Sequence, residues 1–124
     1  MKIIPRFFHG IADYASGLLL LMGPNLFGFD SIGGGAAWVP RSVGILILLQ
    51  AMTTDYELGL MKIIPISMHL TTDYLVGAVL LVAPWFFGFA VHRAATILLT
   101  VTGLMVLGLT AMTEPKGRPR NVMA

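Results

Sequence analysis

The segment MKIIPRFFHGIADYASGL, residues 1–18, returns 60 residues later as MKIIPISMHLTTDYLVGA, residues 61–78. The tripeptide AMT of residues 51–53 returns at the same spacing, at 111–113. Self-similarity at a fixed period is the signature of a duplicated structural unit. The sequence therefore predicts two tandem copies whose register is kept, without a net insertion, to the end of each copy.

The composition indicates a membrane protein. Hydrophobic residues make up 56% of the 124-residue chain and charged residues 11%, whereas about a quarter of the residues in soluble proteins are charged. A soluble chain of this length has too little interior to bury so much apolar surface. The absence of Cys excludes disulfides, thiolate metal sites and a Cys nucleophile. The few basic residues suit anionic lipid headgroups better than nucleic acid, so no nucleic-acid partner is expected.

Four apolar stretches approach the length of about 20 residues that a helix needs to span a bilayer. They are roughly residues 8–27, 36–52, 68–87 and 93–112. The second is the weakest because Pro40 and Arg41 interrupt it, and we expect Pro40 in the first turn of the true span. The pattern predicts an all-α integral membrane fold with four transmembrane helices as two tandem, parallel two-helix hairpins. These are a first repeat at 1–60, a second at 61–114 and a basic cytoplasmic tail at 115–124.

Basic residues predict the orientation of these spans. Two of them, Arg41 and Arg93, flank one side of the membrane, and the other six flank the side of both termini: Lys2, Arg6, Lys62, Lys116, Arg118 and Arg120. The positive-inside rule then places both termini in the cytoplasm. Because each copy has an even number of spans, the second copy enters from the same side as the first. We therefore expect the halves to be related by a pseudo-two-fold axis along the membrane normal.

The stretch GAVLLVAPWFFGF, residues 77–89, resembles the SPW repeat family of small bacterial integral membrane proteins. The unit of that family is a two-helix hairpin with a Ser-Pro-Trp motif near the end of its first helix. The motif reads Ala83-Pro84-Trp85 in one copy and Gly23-Pro24-Asn25 in the other, so neither carries the Ser and one carries the Trp. The resemblance implies a protein of the bacterial inner membrane, without a firmly assigned reaction. On physical grounds, the Pro breaks the helix, the aromatic residue sits at the interface, and Gly28 or Gly88 permits the turn.

Two polar motifs do not follow from hairpin architecture: His9-x-x-x-Asp13-Tyr14 and His69-x-x-x-Asp73-Tyr74. The spacing of four places each His and its Asp on one helix face, about 6 Å apart along the axis. If Pro5 and Pro65 open their helices, the carboxylates lie at or below the headgroup boundary. Carboxylates are costly there and face a protein interior or a water-filled path. Parallel halves also place His9 and His69 at equal depth.

Three interpretations of these residues stay open. In the first, the Asp residues bond His, Tyr or backbone donors and hold the two first helices together, at about 0.6 kcal/mol per hydrogen bond. In the second, His9 and His69 bind a cofactor, which is either haem b between two axial imidazoles or a divalent metal shared with the carboxylates. In the third, Asp13 and Asp73 respond to protons or cations along a transport path.

Other polar and small residues are assigned structural roles. The segment TTDYE, residues 53–57, echoes TTDY of residues 71–74 but falls in the central cytoplasmic connection, where charged residues are ordinary. His92 and Arg93 are interpreted as interfacial anchors. Small residues in the first and third spans favour close helix contact: Gly10, Ala12, Ala15, Ser16, Gly17 and Gly77.

The leading hypothesis is a non-enzymatic structural or accessory membrane protein with no catalytic residue and no cofactor. So small a chain has little outside the bilayer in which to house a reaction. It is expected to work in the lipid bilayer as a homo-oligomer or as a small subunit of a larger membrane complex. The alternatives are a haem- or metal-binding redox protein that uses His9 and His69, and a small proton- or cation-responsive transporter.

Overall fold

The computed structural model describes residues 3–113 of the chain. The predicted tail at 115–124 lies outside the described residues. The helices are α1 (Arg6–Leu26), α2 (Gly34–Thr53), α3 (Ile66–Phe86) and α4 (Arg93–Met112), with a short 3-10 turn at Asp30–Ile32. Residues 3–113 contain no strand, which confirms the all-α prediction.

Three of the four helices, α2, α3 and α4, are long and apolar enough to cross a membrane by length and composition. Helix α1 has 21 residues, about 31 Å at 1.5 Å per residue, but it is less apolar because it carries Arg6, His9 and Asp13. Its most extensive packing is with α2. The fold is therefore that of an all-α integral membrane protein.

Helix α2 begins earlier than the sequence predicts. It starts at Gly34 and carries Pro40 in its second turn instead of its first. Gly33 and Gly34 have φ values of 69° and 53°, a left-handed backbone that glycine adopts without strain. Ala36 and Val39 are buried in the core and hold this early part in place. Their packing compensates for the one helical hydrogen bond that Pro40 removes.

A glycine, and not the proline, ends the first helix of each hairpin. Helices α1 and α3 continue two residues beyond Pro24 and Pro84. Gly28 and Gly88 then adopt φ values of 72° and 76°, and the N–H of Phe29 donates to the carbonyl oxygen of Pro24 at 2.9 Å. This is a Schellman-type C-cap. The predicted turn is present, but the left-handed glycine sets its position.

The four helices form a ring in chain order. Helix α1 packs most extensively on α2 and α3 on α4, with lighter packing between α1 and α4 and between α2 and α3. Helices α1 and α3 are therefore diagonally opposite across the core, which includes Leu20, Leu80 and Leu99. They begin at the same end of the bundle, since His9 near the start of α1 lies 2.8 Å from Asp73 near the start of α3.

A pair of facing glycines closes each hairpin. A Cβ atom on Gly44 would lie 2.6 Å from the carbonyl oxygen of Gly17, and one on Gly103 would lie 3.0 Å from that of Gly77. Only residues without a side chain let helix backbones approach so closely. This finding agrees with the close contact expected at Gly17 and Gly77.

The facing glycines also correct the predicted register. Gly17 and Gly77 are 60 positions apart, but Gly44 and Gly103 are 59 apart. The turn between α1 and α2 is one residue longer than the turn between α3 and α4. The chain therefore does carry a net one-residue difference between its halves, and the AMT tripeptides that match in letters are not matched in space.

Candidate functional site

Main-chain pairing organises the end of the bundle where α1 and α3 begin. In each half a proline keeps the isoleucine before it extended. Ile4 pairs with Thr113, and Ile64 pairs with Thr54. The pairing places Thr113, just after α4, beside the start of α1, and Thr54, just after α2, beside the start of α3. The recurrent Ile-Ile-Pro segment thus brings one threonine next to each helix that carries a histidine.

Four polar side chains meet at the centre of this end. His9 and Asp13 come from α1, and His69 and Asp73 come from α3; we call these four residues the tetrad. All four are buried, at 2, 7, 1 and 4% exposed. One nitrogen or oxygen atom from each lies within 4.8 Å of the other three. The spacing of four predicted one polar face on each helix, and the fold directs both faces to one point.

Each histidine pairs across the bundle as well as along its own helix. His9 Nε2 lies 2.8 Å from Asp73 Oδ2, and His69 Nε2 lies 3.0 Å from Asp13 Oδ2. The pairs within each helix are longer, at 3.2 Å. Of the four contacts, only His9 with Asp73 has hydrogen-bond geometry. Within residues 3–113, His69 Nε2 has no hydrogen-bond partner although it is buried.

A threonine holds the outer ring nitrogen of each histidine. His9 Nδ1 lies 2.7 Å from Thr113 Oγ1, and His69 Nδ1 lies 2.6 Å from Thr54 Oγ1. Each threonine hydroxyl donates its single proton to a carbonyl oxygen four residues earlier, at 2.6 Å. The hydroxyl can then only accept from the ring, so each Nδ1 carries a hydrogen. In both rings it is Nε2 that faces the centre of the tetrad.

The carboxylates accept further hydrogen bonds from outside the tetrad. Tyr56 donates to Asp13 Oδ2 at 3.0 Å, and the side chains of Gln50 and Thr110 donate to Asp73 at 3.4 Å. Burial, together with the charge of Asp13, raises the pKa of the Tyr56 phenol, so this group stays protonated and donates. The connection between α2 and α3 therefore covers the tetrad.

The two tyrosines of the predicted motifs lie outside the tetrad. The Tyr14 hydroxyl donates to the carbonyl oxygen of Leu58 at 2.8 Å, which fastens the connection between α2 and α3. Tyr74 is 45% exposed. Each tyrosine directly follows its Asp, and adjacent residues on a helix do not share a face.

Sequence reasoning missed Thr54, Tyr56 and Thr113 as residues of the site. It assigned residues 53–57 to the central connection as ordinary polar residues. The connection does begin there, but Thr54 is fully buried and Tyr56 is 1% exposed. The available signal was the second Ile-Ile-Pro, whose extended backbone needs a pairing partner at the end of a neighbouring helix.

The geometry does not fit a haem between His9 and His69. Two axial histidines must bind opposite faces of a porphyrin plane. Here the two rings meet edge to face with centroids 5.5 Å apart, and Asp oxygens lie 2.8 and 3.0 Å from the two Nε2 atoms. The space that a porphyrin ring needs is filled by carboxylates. Two imidazole nitrogens and two carboxylate oxygens are instead donors suited to a single small cation.

The family model for the SPW repeat domain matches residues 7–113, a range that includes the whole tetrad. The chain belongs to the SPW repeat family. No curated protein and no solved structure matches the chain. In this SPW repeat protein the Phe-Gly-Phe segment that follows Pro24 or Pro84 begins the turn of each hairpin. The polar residues that could carry chemistry gather at the opposite end of the bundle.

Proposed function

We propose that this SPW repeat protein is a non-enzymatic structural or accessory protein of the bacterial cytoplasmic membrane. It acts as a homo-oligomer or as a small subunit of a larger membrane complex. The observation that supports this proposal is the burial of the tetrad, whose residues contact one another and the threonine and tyrosine side chains around them. A catalytic acid or base must reach its substrate. These side chains instead join one hairpin to the other.

The outer surface supports a role in assembly. Leu75 and Val82 on α3 and Leu104 on α4 are each more than half exposed. Trp85 and Phe86, at the turn end of α3, are 63 and 73% exposed, where aromatic side chains sit at a membrane interface. A bundle of four helices leaves every helix with one outward face, and either lipid or another protein covers it.

Cysteine cross-linking in native membranes tests this assembly. The chain has no Cys, so Leu75→Cys introduces a single thiol on the outer face of α3. Leu80→Cys is the matched control, because Leu80 lies on the same helix and is fully buried. We expect Leu75→Cys, Val82→Cys or Leu104→Cys to cross-link to a second copy or to one defined partner, and Leu80→Cys not to do so.

The mass of the purified species and ion flux in liposomes can each contradict the proposal. A single species of monomer mass, both in mild detergent and in native nanodiscs, would contradict assembly. Proton or cation flux in liposomes that Asp13→Asn and Asp73→Asn abolish would replace the structural role with transport.

The proposed orientation places the tetrad end of the bundle in the cytoplasmic leaflet. Arg6 and Lys62 lie at that end, as the positive-inside rule requires of the cytoplasmic side. Arg41, at the opposite end, is paired with Asp30.

Thiol labelling from outside the cell tests this orientation. Leu60 near the tetrad end and Val91 at the turn end are 76 and 83% exposed. A membrane-impermeant maleimide is expected to label Val91→Cys in intact spheroplasts, and Leu60→Cys only after permeabilisation. The reverse pattern would invert the topology.

A further inference from the structure

We propose that the tetrad is a closed binding site for one divalent metal ion of the zinc class. The ligands are Nε2 of His9 and His69 and one carboxylate oxygen each from Asp13 and Asp73. The ion joins α1 to α3 and so fixes the two hairpins against each other. This inference goes beyond the proposed function, because the metal content and the state of assembly are measured separately and either can fail alone.

The four donor residues of the tetrad place ligand atoms close to one another. Bonds of about 2.0 Å to a tetrahedral zinc ion place neighbouring ligand atoms about 3.3 Å apart. The four nitrogen-to-oxygen distances run from 2.8 to 3.2 Å, with Asp13 contacting His9 through Oδ1 and His69 through Oδ2. One nitrogen or oxygen atom from each residue lies within 4.8 Å of the other three, so the longest separation must shorten by at most about 1.5 Å to admit the ion.

The hydrogen on each Nδ1 determines which ring nitrogen can bind a metal. Because Thr113 and Thr54 accept from Nδ1, the neutral form of each histidine presents a lone pair at Nε2, directed to the centre. Without the ion, His9 Nε2 carries a hydrogen that it donates to Asp73, and metal binding releases this proton to solvent. Histidines that bind metals donate their other ring N–H to a fixed acceptor in this way, which sets both the tautomer and the orientation of the ring. Each threonine is in turn fixed by its hydrogen bond to a helix carbonyl.

His69 is the residue of the tetrad whose ring is incompletely hydrogen-bonded within residues 3–113. Its Nε2 is buried and lies 3.0 Å from an Asp13 oxygen, yet residues 3–113 offer it no hydrogen bond of acceptable geometry. A buried nitrogen without a partner is costly, and a metal bond supplies the missing partner. The charges also balance, because two carboxylates and two neutral imidazoles around a divalent ion sum to zero.

The donor set favours zinc and a structural role. Two nitrogens and two oxygens in a tetrahedral arrangement suit Zn²⁺, whereas Mg²⁺ and Ca²⁺ prefer six or more oxygen ligands. Four protein ligands also fill the coordination sphere and leave no position for water or substrate, which distinguishes structural from catalytic zinc sites. Such an ion stabilises the folded bundle without catalysing a reaction, consistent with the proposed accessory role.

Elemental analysis of the full chain, purified in mild detergent, is the direct test. We expect about one zinc ion per chain after incubation with Zn²⁺ and removal of free metal. Co²⁺ in its place is expected to give the intense visible bands of a tetrahedral site. His69→Gln and Asp13→Asn should lose the metal, whereas His92→Gln, which removes a histidine outside the tetrad, should keep it.

A pair of adjacent threonines gives the sharper control. Thr54→Val removes the acceptor for His69 Nδ1 and is expected to weaken zinc binding about 10- to 100-fold. Thr53→Val removes a hydroxyl that donates only to carbonyl oxygens of its own helix, and should leave the affinity unchanged. Equal affinity in the two variants would contradict the proposed role of Thr54.

The wild-type protein alone can also overturn the proposal, so that misfolded variants cannot mask the answer. Zinc should raise the midpoint of thermal unfolding, and a chelator should lower it again. A folded, monodisperse wild type that takes up neither Zn²⁺ nor Co²⁺ would refute the site. Another divalent ion, bound at one per chain and lost in His69→Gln, would support the site and replace zinc as its occupant.

Discussion

The seams inside the two hairpins and the seam between the hairpins are built from different chemistry. Inside each hairpin, Gly17 faces Gly44 and Gly77 faces Gly103, so the helix backbones touch directly. Between the hairpins the helix packing is lighter, and the tetrad supplies a polar connection. Close packing rewards any well-fitting apolar surface, whereas hydrogen bonds and ion pairs require one matched geometry. The hairpins are therefore the closely packed units, and the tetrad sets their mutual register.

The seam between the hairpins is itself divided along its length. At the turn end it is apolar, since Leu98 of α4 packs against Gly23 of α1 and the rings of Trp38 and Phe87 meet at 5.0 Å. At the other end the seam is polar, because the His–Asp contacts of the tetrad join α1 to α3 there. The polar contacts lie close to the start of α1 and α3, where the cost of burying charge is lower than at the bilayer centre.

The largest expected effect comes from breaking the tetrad. Asp73→Ala leaves two buried histidines facing a single carboxylate, and removing one partner of a buried ion pair costs about 3–5 kcal/mol. The free energy of unfolding in mixed micelles measures the loss, with circular dichroism to show that helix content is retained. Asp55→Ala, which removes a carboxylate outside the tetrad, should change the stability little. A loss below about 1 kcal/mol for Asp73→Ala, in the range of exposed ion pairs, would show that the tetrad does not join the hairpins.

Overpacking a glycine seam should give the next largest effect. Gly44→Ala places a methyl group 2.6 Å from a carbonyl oxygen and 2.7 Å from a backbone nitrogen of α1, so the helices must separate, at a cost of about 1–3 kcal/mol. Gly108→Ala is the matched control on α4, where a Cβ meets nothing within 4 Å. That change should raise helix stability by roughly 0.5–1 kcal/mol. Equal effects of the two substitutions would mean that the hairpin seam is not close-packed.

Removing the hydrogen bond from Tyr56 to the tetrad should lower the free energy of unfolding by less than the two changes above. Tyr56→Phe deletes the hydroxyl that donates to Asp13 at 3.0 Å and keeps the buried ring, so a loss of about 1 kcal/mol is expected from one hydrogen bond. Tyr74→Phe, at an exposed position on α3, should have no measurable effect. Unchanged stability in Tyr56→Phe would show that the connection between α2 and α3 does not stabilise the tetrad.

The smallest effect is expected at the surface. Arg6 pairs with Glu57 at 2.8 Å, but their side chains are 23 and 44% exposed, and exposed ion pairs contribute less than about 1 kcal/mol. Arg6→Gln should therefore lower the stability only slightly, and less at high salt. A loss as large as that of Asp73→Ala would mean that the surface pair, and not the tetrad, fixes this end of the bundle.

Much of the site was accessible from sequence, but its pairing was not. The spacing of four in His9 and Asp13, and again in His69 and Asp73, determines that each pair shares a helix face. Which histidine meets which carboxylate depends on how two separate helices cross. The shorter His–Asp contacts are those across the bundle, and no local pattern encodes them.

The sequence by itself determined that the protein lies in a membrane, that it forms long helices and that its motifs repeat. These properties follow from composition, hydrophobic length and local spacing. Only the tertiary structure decided that α2 starts at Gly34, that Gly28 ends α1 and Gly88 ends α3, and that the two halves differ in length by one residue. Only it brought Thr54, Tyr56 and Thr113 to the tetrad. The physical reason is that helix formation depends on neighbours along the chain, whereas the partners of a buried polar atom are whatever residues the packing places beside it.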